Sequence, residues 1–242
     1  MPSYWRHVNR VLKEADLIIE VLDSRLIEGT RNAEIESKIK NLKKKLLFVI
    51  NKCDLVDKNK MDAIRKVLKP SVFISSKDHL GTTMLKKKIL ELSRGEKVVV
   101  GIVGYPNVGK SSLINALSGR HAARTSSESG HTKGMQRIKV DNKIMVLDTP
   151  GVLPNQEENL EKHVKMGAID YSKIKDTETA ALNLIEGEIE SICKHYKVSG
   201  NEPEEILENI AKKMNKLGKG GTLNLESTGR AILKDWQTGK IK

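Results

Sequence analysis

Asn51-Lys52-Cys53-Asp54 follows directly on the apolar run Lys45-Leu-Leu-Phe-Val-Ile50, and Gly104-Tyr-Pro-Asn-Val-Gly109-Lys110-Ser111-Ser112 comes only after residues 55–103. The second stretch fits the pattern G-x-x-x-x-G-K-S. It stands between a strand-like run, Lys97-Val-Val-Val-Gly-Ile-Val-Gly104, and a helix-like one, Ser111-Ser-Leu-Ile-Asn-Ala-Leu-Ser-Gly119. That context separates a phosphate-binding loop from an ordinary glycine turn. Glycines let successive backbone N–H groups converge on phosphate oxygens, and the helix N-terminus adds a favourable potential. Lys110 would then neutralise the outer phosphates and Ser111 would ligate magnesium. The first stretch ends a strand, where open α/β sheets bind ligands. Its carboxylate, Asp54, can accept two hydrogen bonds from the N1 and N2 edge of guanine, with Asn51 tying the base loops together.

Working outward, Asp16–Asp23, Leu46–Ile50 and Ser71–Ser75 are short apolar or β-branched runs, as expected of strands buried on both faces. Between them, residues 32–45 and 57–69 carry apolar residues three and four apart, the period of an amphipathic helix. Strand, helix, strand at this spacing implies a parallel sheet. Arg137–Asp148 reads as two strands joined by an Asp141-Asn142 turn. Asp148-Thr-Pro-Gly151 follows the second of these; there an aspartate can hold magnesium through water and a glycine N–H can sense a γ-phosphate. Beyond it the strand pattern stops. Residues 177–196, 202–217 and 224–239 have helical periodicity, and about three helices are expected. The division expected is therefore 1–172 for the α/β domain and 173–242 for a small all-α domain.

The chain carries 43 Lys and Arg against 31 Asp and Glu, a net charge of +12, which suggests an anionic partner of nucleic-acid type. The surplus is uneven: residues 176–208 hold nine acids against two lysines, and 211–242 hold eight bases against two acids. Lys and Glu enrichment also fits a heat-adapted surface. Cys53 and Cys193 show no metal-ligand spacing and are expected to be free thiols. With no run of eighteen apolar residues and no apolar core near the start, a soluble, cytoplasmic protein with no membrane partner is expected.

Taken together, Val21-Leu-Asp-Ser-Arg25, the Asn51–Asp54 turn, Ser75-Ser76-Lys77, Gly104–Leu117, His131-Thr-Lys-Gly-Met-Gln136, Asp148–Val152 and the tail Leu217–Ile241 resemble the circularly permuted GTPases of the YlqF/YawG family, Ras-like proteins of ribosome assembly. The motif order carries the resemblance. The base-reading turn precedes the phosphate loop, which permutation allows because it moves the termini to another surface loop and keeps sheet and site. The resemblance implies a mostly parallel six-stranded sheet between helices, with strands beginning at Arg137, Ile144, Lys97, Asp16, Leu46 and Val72 side by side in that order. It implies nucleotide contacts from Asn51, Lys52, Cys53, Asp54, Ser76, Lys77, Asn107, Val108, Gly109, Lys110, Ser111, Ser112 and Gly151. It also implies a magnesium site of Ser111, Thr132 and, through water, Asp148, with Lys110, Thr132 and Gly151 serving hydrolysis. GTP and GDP, a large-subunit precursor and its rRNA are the partners implied; a monomer is expected.

Some readings stay open. Asn107 is either a turn residue or, as in potassium-activated GTPases, a ligand for potassium beside the phosphates. Arg120, Arg124, Lys133, Arg137 and Lys139 form either a phosphate-contacting patch or a solvated one, and Lys43–Lys45 and Lys86–Lys88 are equally divided between RNA and solvent. His7, Trp5 and Trp236 read as packing or surface residues, and His7 does not match the catalytic histidine segment of some bacterial relatives. Gly151 is followed by Val152 and Leu153, which cannot orient a water, so unaided turnover near ~10⁻⁴ to 10⁻³ per second is expected. The leading expectation is a GTP-hydrolysing switch of large-subunit assembly activated by the ribosomal particle. The alternatives are a GTP-dependent RNA-binding scaffold with little hydrolysis and a GTPase of RNA modification.

Overall fold

The computed structural model describes residues 3–119, 136–148 and 169–241, and the chain divides into two compact units, residues 1–157 and 158–242. Strand β1 (Leu17–Asp23) is buried along its whole length. That is why its sequence is almost unbroken Leu, Ile and Val, as expected of a strand covered on both faces. It lies between β2 (Lys45–Asn51) and β4 (Val98–Val103), with β3 (Ser71–Phe73), β6 (Ile144–Asp148) and β5 (Gln136–Lys139) completing the order β3-β2-β1-β4-β6-β5. All neighbours are parallel except β5 and β6. This is the order and direction that the motif resemblance implied.

Around the sheet stand α2 (Ile27–Thr30), α3 (Ala33–Asn41), α4 (Lys58–Val67), α5 (Thr82–Leu92) and α6 (Lys110–Ser118). A further helix, α1 (Ser3–Glu14), was not expected from the sequence. It packs Val8, Val11 and Leu12 with Ile18 of β1, Ile35 and Ile39 of α3, and Val103 of β4 in one apolar cluster. The exposed guanidinium of Arg137 in β5 pairs with Glu14 of α1 at 2.9 Å, so it is engaged within the fold.

The second unit is helical: α7 (Thr177–Gly187), α8 (Ile189–Tyr196), α9 (Pro203–Lys213) and α10 (Leu225–Gln237). The first helix expected there is in fact two. Gly187, a poor helix former, ends α7, and Glu188 leaves helical backbone at φ −141° and ψ 35°. Ala181, Leu184, Ile185, Ile192, Ile206, Leu207, Ile210, Ile232, Leu233 and Trp236 are buried and supply the apolar interior; Trp236 is thus a packing residue. Gln237 of α10 accepts from the Tyr171 N–H (3.2 Å) and donates to the Ile169 carbonyl (2.6 Å). Residues 169 and 171 are thus bonded to the last helix of this unit. No helix among the described residues is long and apolar enough to cross a membrane.

Candidate nucleotide site

At the carboxyl ends of β2, β3 and β4 three loops meet. Their register is fixed by the sheet, with Asp23 of β1 opposite Asn51 of β2 and Ile102 of β4 opposite Asp148 of β6. Asn51, 2% exposed, joins the loops. Its Nδ2 donates to the Val108 carbonyl of the phosphate loop at 2.8 Å, and its Oδ1 accepts from the Ser76 N–H at 3.1 Å and the Ser76 Oγ at 2.9 Å. Gly109 approaches this amide so closely that a Cβ there would collide with Nδ2, and its φ of +98° is one that side-chain-bearing residues rarely adopt.

The phosphate loop runs from β4 into α6, whose cap Gly109 leaves the first backbone N–H groups of the helix free of intrahelical partners. Asn107 also has a left-handed backbone, φ 60°. Lys110, 7% exposed, donates its ammonium to the carbonyls of Tyr105 (2.6 Å) and Gly104 (3.0 Å). Burial pushes its pKa down to about 8, with the Asp148 carboxylate acting in the opposite sense. Ser111 and Ser112 follow in the first turn of α6. Asp148, 1% exposed, ends β6. A hydroxyl and one carboxylate form an all-oxygen donor set, and no cluster of three or more His, Cys, Asp or Glu side chains is found among the described residues. That composition fits magnesium, which takes few protein ligands and keeps phosphate oxygens and waters.

On the base side, Lys52 has a left-handed backbone (φ 59°) and caps the short 3-10 turn Cys53–Leu55, which carries Asp54. The turn is tied to the neighbouring strand through the Cys53 N–H and the Ile74 carbonyl (3.1 Å). Burial pushes the Cys53 thiol up, consistent with an unreactive side chain. Ser76 is buried and Lys77 exposed in the adjacent loop, whose Ser75 hydroxyl bonds Asp78 at 2.9 Å. Thr132 and Gly151 lie outside the described residues. Sequence reasoning gave Asp23, Ser24 and Arg25 no place in the site, yet Asp23 and Ser24 bond the base-side turn and Arg25 bonds Asp23. The signal was present in their position at the end of a strand next to the Asn51 strand.

Three loops on one end of a sheet, with the base-side turn preceding the phosphate loop in the chain, define a circularly permuted P-loop nucleotide-binding domain. A family model described as "RsgA GTPase" matches residues 35–157, and one described as "50S ribosome-binding GTPase" matches residues 99–218. The chain belongs to the RsgA GTPase family, in the permuted form that its motif order implied. It is 42% identical over 244 residues to an uncharacterized GTP-binding protein of Methanocaldococcus jannaschii, covering 97% of this chain and 65% of that one. It is 30% identical over 286 residues to GTPase grn1 of Schizosaccharomyces pombe, covering 99% of this chain and 61% of that one. The chain thus spans less than two thirds of these curated relatives. Its fold is that of YlqF from T. maritima, whose GNP-bound crystal structure superposes with a TM-score of 0.71 at 24% identity, covering 98% of this chain and 94% of that one.

Proposed function

We propose that the protein binds GTP with magnesium at this site and hydrolyses it to GDP and phosphate, as a switch in assembly of the large ribosomal subunit. The observation that carries the nucleotide reading is the Asn51 amide, which locks the phosphate loop, the N-K-x-D turn and the Ser76 loop into one cradle. In it, Lys110 exchanges its carbonyl partners for β- and γ-phosphate oxygens, the α6 N-terminus receives the phosphates, and Asp54 accepts the guanine N1 and N2 hydrogens. Ser111, Thr132 and, through water, Asp148 are the residues that would hold magnesium, which would supply charge neutralisation at the transferring phosphoryl group. Gly151 carries the γ-phosphate contact.

The partner is inferred from the family and from the charge of +12. A large-subunit precursor is its target, rRNA its main contact, and the protein works as a cytoplasmic monomer. Because Val152 and Leu153 cannot position a water, turnover is slow alone and rises when the particle completes the site. Asn107 is assigned to a potassium ion beside the phosphates, so potassium supports faster hydrolysis than sodium.

Competition against a fluorescent guanine nucleotide tests the site: GTP and GDP displace it and ATP does not. Single-turnover hydrolysis with and without purified large subunits, in potassium and in sodium, tests the switch. Displacement by ATP would remove the guanine reading, and a rate indifferent to subunits would remove the activation.

A further inference from the structure

Val21–Arg25 matches the family pattern in sequence, yet none of its side chains figures in the phosphate or base contacts proposed above. Its last three residues form a buried support beneath the base-side turn. The Ser24 N–H donates to the Asn51 carbonyl (3.0 Å) and the Ser24 Oγ to the Lys52 carbonyl (2.7 Å), so one residue holds the peptide groups on both sides of Lys52. The Lys52 ammonium lies 2.8 Å from Asp23 Oδ2. Asp23, 2% exposed, also takes the Arg25 guanidinium as a fork, Nε to Oδ1 at 3.1 Å and Nη2 to Oδ2 at 2.9 Å, and the Arg25 N–H at 3.0 Å. The Arg25 carbonyl in turn accepts from Lys60 of α4 at 3.0 Å. Asp23, Arg25 and Lys52 thus share their charges out of water, and the left-handed backbone at Lys52 is one that persists only where its surroundings over-determine it.

We infer that Asp23, Ser24 and Arg25 are positioning residues for base recognition: they hold the Lys52 turn so that Asp54 meets both the N1–H and the 2-amino group of guanine. The inference rests on the guanine reading above and deepens it. Because the Lys52 ammonium is committed to Asp23, the lysine acts through the shape of the turn. Bidentate recognition depends on the angle of a carboxylate as much as on its presence. A turn released by a few tenths of an ångström keeps one hydrogen bond and loses the other.

The readout is discrimination between GDP and IDP, which differ only by the 2-amino group. A purely structural ion pair would lower stability without moving that ratio. Wild type and the variants Asp23→Asn, Arg25→Lys and Ser24→Ala are titrated with both nucleotides by competition, and their melting is recorded alongside. Wild type is expected to prefer GDP by about tenfold or more, as one charge-assisted hydrogen bond warrants. Asp23→Asn brings the ratio towards one, and Arg25→Lys, which keeps the charge and loses the fork, falls between. Ser24→Ala removes one hydrogen bond and no charge, lowers the ratio about threefold, and decides the matter should Asp23→Asn fail to fold. Folded variants that keep the wild-type ratio overturn the inference. A wild type that binds ADP as well as GDP overturns the reading of the site itself, which is a different result.

Discussion

A carboxylate is an acceptor at both oxygens, and that symmetry is why Asp54 is proposed to read guanine, whose N1 and N2 both donate. Asp54→Asn replaces one acceptor by a donor, which mismatches the guanine amino group and matches the 2-oxo group of xanthine. GTP binding is expected to weaken by about 2 to 4 kcal/mol and XTP binding to gain; competition titration with both nucleotides measures it. Glu20 shows the same chemistry under burial. It sits fully buried in β1, with Oε1 accepting from the Asn32 N–H at 2.9 Å and Oε2 without a hydrogen-bond partner. Burial is the main reason that its pKa rises from 4.5 to about 8, reinforced by Glu36 and opposed by the Asn32 bond and Arg31. The folded state therefore keeps a proton that the unfolded chain gives up. Stability from this group is complete below pH 4.5, falls as pH rises, and levels off above about 8. Glu20→Gln, neutral and of equal size, is expected to flatten that slope. Urea unfolding midpoints at a series of pH values would reveal it, and an unchanged slope in the variant would show that Glu20 is ionised in the fold.

At the scale of elements, the strands were legible because burial on both faces writes itself as continuous Val, Ile and Leu. The strand order was legible only through the motif order, since pairing between residues 17 and 100 leaves no local trace. Helix α1 went unread although Val8, Val11, Leu12 and Ala15, all buried, stand at helical spacing. The Asp23–Arg25 support was missed for a different reason: position at a strand end marked the residues, but their bonds to the Asn51–Lys52 turn span nearly thirty residues and leave no local trace. In the helical unit, one close approach sets the geometry. A Cβ on Gly229 of α10 would collide with the backbone carbonyl at Thr177, where α7 begins, and with the Ala181 side chain at 3.2 Å. Alanine would improve the intrinsic helix propensity by about 1 kcal/mol, but the opposing atoms are backbone and cannot rotate away, an overpacking cost of about 1 to 3 kcal/mol. Gly229→Ala should therefore lower the melting temperature. Calorimetry decides it, and a raised temperature would mean that the two helices can slide apart at no cost.

For the whole molecule, we propose a division of work: the sheet unit holds the nucleotide, and the acidic-then-basic helical unit is the part that meets the particle. The switch segment after Asp148 leads towards that unit in the chain, so loss of the γ-phosphate contact has a direct covalent route to it. Truncation after residue 157 is expected to leave guanine-nucleotide affinity nearly intact and to abolish the acceleration of hydrolysis by large subunits; a truncated protein that still responds fully would sever that link. The sheet order has a consequence in time as well. Strands β1, β2 and β3 are neighbours both in the chain and in the sheet, whereas β4 and β6 are added on the far side of β1. Contacts close in sequence form before distant ones because less chain must be closed to make them. The half of the cleft proposed to read the base is then expected to form before the half proposed to grip phosphate, and pulse-labelling hydrogen exchange should find the amides of β1 and β2 protected ahead of those of β6. In an unpermuted chain the first half to mature would recognise any triphosphate; in this chain order discrimination is expected to come before grip.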